Sequence, residues 1–205
     1  NAIAVVPSGS LKVRNRDAEY PFRQDSDFHY LTGFNEPEAV AVFAPGREGG
    51  EYVLFCRTKD PAMERWTGLR AGLDGAKQLH GADEAHPISD LSALMPRLLT
   101  GRDQVHYDLG ANAEFDQQMI GWINQLRAQA RAGIRAPHAI VMLDRVLHDM
   151  RLFKSEAEIA VMRYAAQVSA LAHTRAMQAC TVGMYEYEIE AKFLITFRKH
   201  RKDGV

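Results

Sequence analysis

The sequence predicts an α/β sandwich over residues 1–150 followed by an all-helical stretch over residues 151–205. Three observations carry that expectation. Short β-rich runs alternate with amphipathic helical segments up to Leu143, glycine and proline clusters punctuate the joins, and no strand signal recurs after Ser155. With 205 residues, 46% of them apolar, the chain can fill one core and part of a second.

Ala2–Val6 is a β-rich run closed by Pro7-Ser8-Gly9. Ala39–Ala44 and Glu51–Cys56 are two more, and the Pro45-Gly46 and Gly49-Gly50 pairs between them supply turn chemistry, so a hairpin is expected. Gln104–Asp108 and Ala139–Leu143 are further strand candidates. The latter is an unbroken apolar run, the pattern of a strand covered on both faces. Ser89–Leu99 puts Leu91, Leu94 and Leu98 on one helical face, and Asn112–Ala130 does the same with Phe115, Met119, Trp122, Ile123 and Leu126. Beyond Leu143 the pattern changes, and a domain boundary is expected near residue 150. Ser155 and Glu158 form a capping box that opens a helix running to about Cys180. Thr181-Val182-Gly183 ends it, and a second helix from about Tyr185 to Lys199 carries Ile189, Phe193 and Phe197 along one stripe. Two helices with apolar stripes need a covering surface, so the second domain is expected to be incomplete. The start on Asn1, inside a strand, points to missing residues upstream as well.

Lys and Arg number 25 against 26 Asp and Glu, a net charge of -1 with no long single-sign block, which argues against nucleic-acid and membrane partners. Cys56 and Cys180 are far apart and form no C-x-x-C pair, which suggests neither a zinc ribbon nor a disulfide framework and fits a reducing, cytoplasmic setting. No run approaches the roughly 18 apolar residues of a membrane helix, and the amino terminus lacks the basic flank of a signal peptide. The eight histidines are scattered, with none three or four residues from another, so no helical metal-ligand pair is present. G-x-S-x-G, the phosphate-binding G-x-x-x-x-G-K-S/T and G-x-G-x-x-G after a strand are all absent.

The densest unusual stretch runs from Arg14 to Phe28, mixing charges of both signs with aromatics. Asp25 and Asp27 could hold a divalent cation, but the favoured reading is a cap for a helix entering Phe28-His29-Tyr30-Leu31. Trp66, in the polar, glycine-flanked run Glu64-Arg65-Trp66-Thr67-Gly68, reads as a loop residue. It marks a contact surface or packs beneath its own loop.

Tyr20-Pro21-Phe22-Arg23-Gln24-Asp25-Ser26-Asp27-Phe28, followed by Tyr30-Leu31-Thr32-Gly33-Phe34-Asn35-Glu36-Pro37-Glu38-Ala39-Val40, resembles the amino-terminal domain of bacterial Xaa-Pro aminopeptidases, the aminopeptidase P family. The likeness continues through Trp66-Thr67-Gly68, Met150–Ser155, Ala172–Met177 and Gly183–Tyr187. It implies a creatinase-like domain with a mixed sheet flanked by helices over 1–150, then the opening helices of an α+β pita-bread metallopeptidase domain over 151–205. The implied activity is release of the amino-terminal residue that precedes proline, with two divalent ions, usually manganese, in the complete enzyme. The family's metal ligands, two Asp, one His and two Glu, have no counterpart in this sequence, so no metal is expected on this chain and catalytic residues are none. Arg201–Val205 departs from the family's pattern, and the chain is expected to stop short of the catalytic site and to be inactive alone.

The resemblance also implies partners: a homo-oligomer, dimer or tetramer, and peptides with proline at the second position. By matching motifs, Trp66 resembles a tryptophan that reaches toward a neighbouring subunit's site. Arg131 resembles an arginine that helps bind extended peptides, and Asp17 an acidic residue near the same interface. The alternative is a stand-alone, non-catalytic oligomerisation or binding module.

Overall fold

The computed structural model describes residues 1–200; Arg201–Val205, whose departure from the family pattern was noted above, lie outside the described residues. Two compact units are present, Asn1–His148 and the chain from Asp149 onward.

The first unit is organised around β1 (Ala2–Pro7), whose alternating side chains serve two cores. β1 pairs antiparallel with β4 (Val40–Phe43) on one side and parallel with β7 (Gln104–His106) on the other. β4 pairs antiparallel with β5 (Tyr52–Cys56), the expected hairpin, and β5 pairs parallel with β6 (Glu84–Pro87). β8 (Ala139–Val141) adds parallel to β7, giving the six-stranded mixed order β6-β5-β4-β1-β7-β8. Ile3, Val5, Val42, Val53, Phe55 and Val105 face α4 (Leu91–Leu99) and α5 (Ala113–Ala128). Val6, Ala41, Leu54 and Cys56 face α1 (Ser26–Thr32), α3 (Gly72–Gln78) and α6 (Asp144–Leu152). Helices therefore cover both faces of the sheet, and Trp122 is core as its helical spacing predicted.

Three elements depart from the sequence reading. β8 is an edge strand with Ile140 partly exposed, not a strand buried on both faces, because β7 is its only neighbour among the described residues. β6 was not foreseen, since Glu84-Ala85-His86-Pro87 has neither β-branched residues nor apolar alternation; its pairing with β5 makes it a strand. Trp66 lies in a helix, α2 (Pro61–Thr67), rather than in a loop. Asp60 caps it by accepting from the amides of Ala62 and Met63, and Pro61 occupies its first turn. α2 buries none of its residues, so no apolar periodicity announced it.

The second unit contains α7 (Glu156–Ala179) and α8 (Glu186–Lys199). Ser155 Oγ accepts from the Glu158 amide at 3.3 Å while Glu158 accepts from the Ser155 amide at 2.7 Å, the expected capping box. Ala172 and Ala176 let α8 approach closely, the His173 and Phe193 rings meet edge-on at 4.8 Å, and the Tyr164 hydroxyl donates to the His200 carbonyl. Val161, Met162 and Met177 on α7 and Leu194 and Ile195 on α8 stay exposed within this unit.

Cys56 and Tyr52 on β5 make the sheet sensitive to alkali. Burial, followed by the Glu36 charge, raises the Cys56 thiol from 9.0 to about 11, and burial raises the Tyr52 phenol from 10.0 to about 12. Between 9.0 and about 11 an unfolded chain releases a thiol proton that the native state retains, so native stability falls as pH rises through that window. Thermal melts should show a progressive loss of stability across it, and Cys56→Ala should flatten the decline.

Candidate functional site

β1, β5, β6, β7 and β8 run in one direction, so their carboxyl ends share one edge of the sheet. Two long excursions leave that edge. The first follows β1 and includes β2 (Val13–Asn15) and β3 (Ala18–Glu19), an exposed hairpin with Asp17 in its turn. The second follows β5 and carries α2 with Trp66. Ligands in open α/β sheets collect at the carboxyl ends of strands, where the chain leaves to opposite sides.

Two polar residues of the Tyr20–Val40 run close these excursions at their feet. Gln24, 7% exposed, accepts through Oε1 from the amides of Gly9 at 2.7 Å and Asp25 at 2.9 Å. Its Nε2 donates to the carbonyls of Phe34 at 3.2 Å and Glu36 at 2.8 Å. One amide thus ties the start of the hairpin excursion to its end and to the turn after α1. Gly9 must approach closely for this: a Cβ there would stand 3.0 Å from the Arg23 carbonyl oxygen and 3.0 Å from the Asp25 nitrogen. Glu36 does the equivalent for the second excursion. It pairs with Arg57 at 3.4 Å, just beyond β5, and accepts from the Ala71 amide at 2.6 Å, just before α3. The loop that presents α2 is thereby held at both ends by one carboxylate.

Asp25 Oδ1 accepts from the Asp27 and Phe28 amides at 3.0 and 2.9 Å, which makes it the α1 cap and removes the reason to assign it to a cation. Trp66 is 87% exposed, which excludes packing beneath its own loop, and Leu69 close by is 89% exposed. An indole so placed gives up the burial energy of a large apolar side chain, typically about 1.5–3 kcal/mol or more, and is free to make contact elsewhere. Arg131, exposed in the single 3₁₀ turn Ala130–Ala132 after α5, precedes β8 and lies at the opposite edge of the sheet. The topology therefore brings Asp17 and Trp66 to one edge and leaves Arg131 at the other.

A cleft of about 380 Å³ also opens at the carboxyl end of β1, between the Pro7–Leu11 segment and the start of α5, with Phe115 and Leu91 in its walls and Glu38 and Glu114 at its rim. Glu38, after Pro37, holds a φ of 56°. Beside it the Tyr107 hydroxyl donates to Asp116 at 2.6 Å, and Asp116 also accepts from the Gly110 amide. Burial and the Asp116 bond push the Tyr107 phenol far up, so it stays protonated and anchors α5 rather than exchanging protons near neutrality. Among the described residues no group of three or more His, Cys, Asp or Glu could hold a metal ion, and no helix is long and apolar enough to cross a membrane. This edge offers surfaces for contact and recognition, built on a rigid clasp.

Comparison with known proteins supplies the family and the fold. Residues 1–107 match the family described as aminopeptidase P, N-terminal domain. Xaa-Pro aminopeptidase of Escherichia coli is 42% identical over 188 residues, covering 91% of this chain and 43% of that protein. The Haemophilus influenzae Xaa-Pro aminopeptidase is 34% identical over 200 residues, covering 98% and 44%. Among solved structures, Pseudomonas aeruginosa aminopeptidase PepP superimposes with a TM-score of 0.94 at 55% identity, covering 98% of this chain and 45% of that one. Zinc-substituted E. coli aminopeptidase P in complex with product gives 0.91 at 40% identity, covering 97% and 46%. The fold is that of an aminopeptidase P amino-terminal domain, and the chain belongs to the aminopeptidase P family. It spans less than half the length of these relatives.

Neither Gln24 nor Glu36 stood out in the sequence, because nothing in a single chain marks which amide or carboxylate will be buried against backbone. Gln24→Ala should strand two amides and two carbonyls and lower stability by roughly 2–4 kcal/mol in urea unfolding. Glu36→Ala should instead leave the sheet folded while amide hydrogen exchange accelerates across residues 58–70.

Proposed function

We propose that this chain is the assembly and substrate-mouth part of a metal-dependent aminopeptidase that releases the amino-terminal residue preceding proline. Membership of the aminopeptidase P family supports the reaction class, and the exposed Trp66 on a buttressed helix is the observation that carries the role of this part. The Xaa-Pro amide has no N–H, so recognition depends on ring shape and on the free amino group, and a flat indole suits the pyrrolidine ring. In this reading Trp66 faces a neighbouring subunit's peptide within a homodimer or homotetramer. Asp17 borders the same interface and Arg131 engages the distal part of longer peptides.

Two divalent ions, usually manganese, belong to the proposed activity of the complete enzyme. The described residues do not fit that group, since no cluster among them offers three ligands. We therefore assign this chain no step of bond cleavage and expect it to be inactive alone, in the cytoplasm, with no nucleic-acid or membrane partner. Two measurements on the 205-residue chain test this reading: manganese-dependent hydrolysis of Xaa-Pro peptides, and size-exclusion chromatography. Manganese-dependent cleavage would overturn the inactivity, and self-assembly without cleavage fits both this reading and a stand-alone assembly module, which the Trp66 kinetics in the complete enzyme then separate.

Within the complete enzyme, Trp66→Ala should raise KM or lower kcat for longer Xaa-Pro peptides by about tenfold, the effect of losing about 1.4 kcal/mol of contact. Unchanged kinetics would remove Trp66 from the mouth.

A further inference from the structure

A second polar cluster, which includes neither Trp66 nor Asp17, lies where β6 and β5 meet α4. β6 is an edge strand, and its register with β5 sets Glu84 beside Val53 and His86 beside Phe55 on the face that α4 covers. That face is apolar elsewhere, yet here it carries two ionisable side chains. A cavity of about 330 Å³ lies between this strand and α4, at the small end of the range for small-molecule sites.

Glu84 does not supply free negative charge to this cavity. Its Oε2 accepts from Arg47 Nη2 at 2.8 Å and meets His86 Nε2 at 3.2 Å, and the Arg47 bond, followed by that of His86, holds its carboxyl below the usual range. Arg47 also donates to the Gly50 carbonyl at 2.9 Å, so its guanidinium is fixed in place with further N–H donors to spare. Arg97, from α4, lines the cavity and has no hydrogen-bond or ion-pair partner among the described residues. The lining carries two guanidinium groups against one carboxylate, a net positive charge before any contribution from His86. Leu94 and Leu98 of α4 complete an apolar wall opposite the Phe55 ring.

We propose that this groove binds a small carboxylate with an apolar body, the carboxylate meeting Arg97 and Arg47 and the apolar part lying against Leu94, Leu98 and Phe55. One anchored and one unpartnered guanidinium beside an apolar wall discriminate by charge at one end and by shape at the other. A free organic acid and the carboxyl terminus of a peptide ending in an apolar residue present the same chemistry.

The test is isothermal titration of the 205-residue chain with 3-phenylpropionate, with its neutral amide, with N-acetyl-Ala-Ala-Phe and with the carboxamide of that peptide. At least one acid should bind saturably, and its amide should bind at least about tenfold more weakly. Arg97→Gln, at an exposed position, should weaken that acid by a similar factor with an unchanged thermal melt. Tighter binding of the peptide acid identifies a carboxyl terminus as the natural form, and binding of phenylpropionate alone identifies a free acid. No saturable binding of either acid at 10 mM, on the order of a 3 kcal/mol interaction, equal binding of acid and amide, or an unaffected Arg97→Gln would overturn the proposal.

Discussion

One buried amide, that of Gln24, carries the geometry of the sheet edge on which the functional reading rests. Each polar atom of the side chain makes two hydrogen bonds to backbone: to Gly9 and Asp25 on one side, and to Phe34 and Glu36 on the other. A buried amide left half-satisfied is costly, whereas a fully satisfied one specifies a single arrangement of the segments it joins. Here those segments are the exit of the central strand, the start of α1 and the turn that leads into β4. The turn in turn supplies Glu36, whose carboxylate holds both ends of the loop that presents Trp66. The dense Tyr20–Val40 stretch is thus a clasp. Gln24, Asp25, Thr32 and Glu36 in it bond to backbone, and Asp17 and Trp66 stand on the excursions it closes.

Where side-chain periodicity decided the structure, the sequence was informative. The β-rich run Ala2–Val6, the turn chemistry at Pro45–Gly50 and the helical spacing from Phe115 to Leu126 led to a strand, a hairpin and an amphipathic helix, all of which are present. Asp25 and Ser155 were legible as caps because capping is a local relation between a side chain and the amides that follow it. The failures share a cause in non-local partners. Glu84–Pro87 becomes a strand only because β5 lies beside it, and α2 is held by its caps and by Glu36 rather than by an apolar face. Ala139–Leu143 reads as a fully covered strand, but its depth in the sheet depends on how many strands follow, which no local pattern reports.

The candidate site was legible in part. Trp66 was singled out by an aromatic residue in a polar run, and its exposure turns one of two open readings into the one adopted. Asp17 stands on the same sheet edge, while Arg131 stands at the other, so the three do not form one constellation within this chain. Family membership ties the unit to aminopeptidases, and the exposure of Trp66 supports the proposed contribution to contact and recognition. A rigid clasp supporting exposed excursions is a suitable architecture for that role, since contact residues act best from a fixed frame.

The central claim is that the clasped excursion carrying Trp66 acts on a neighbouring subunit's substrate. Subunit mixing tests it most directly. Complete chains carrying Trp66→Ala are co-assembled with complete chains that retain Trp66 but cannot bind metal, and hydrolysis of a long Xaa-Pro peptide is followed as the mixing ratio is varied. The account predicts that mixed oligomers hydrolyse the long peptide faster than either parent alone, with a maximum at intermediate ratios. Activity that only declines in proportion to the metal-deficient subunit, with mixed oligomers demonstrably formed, would contradict it.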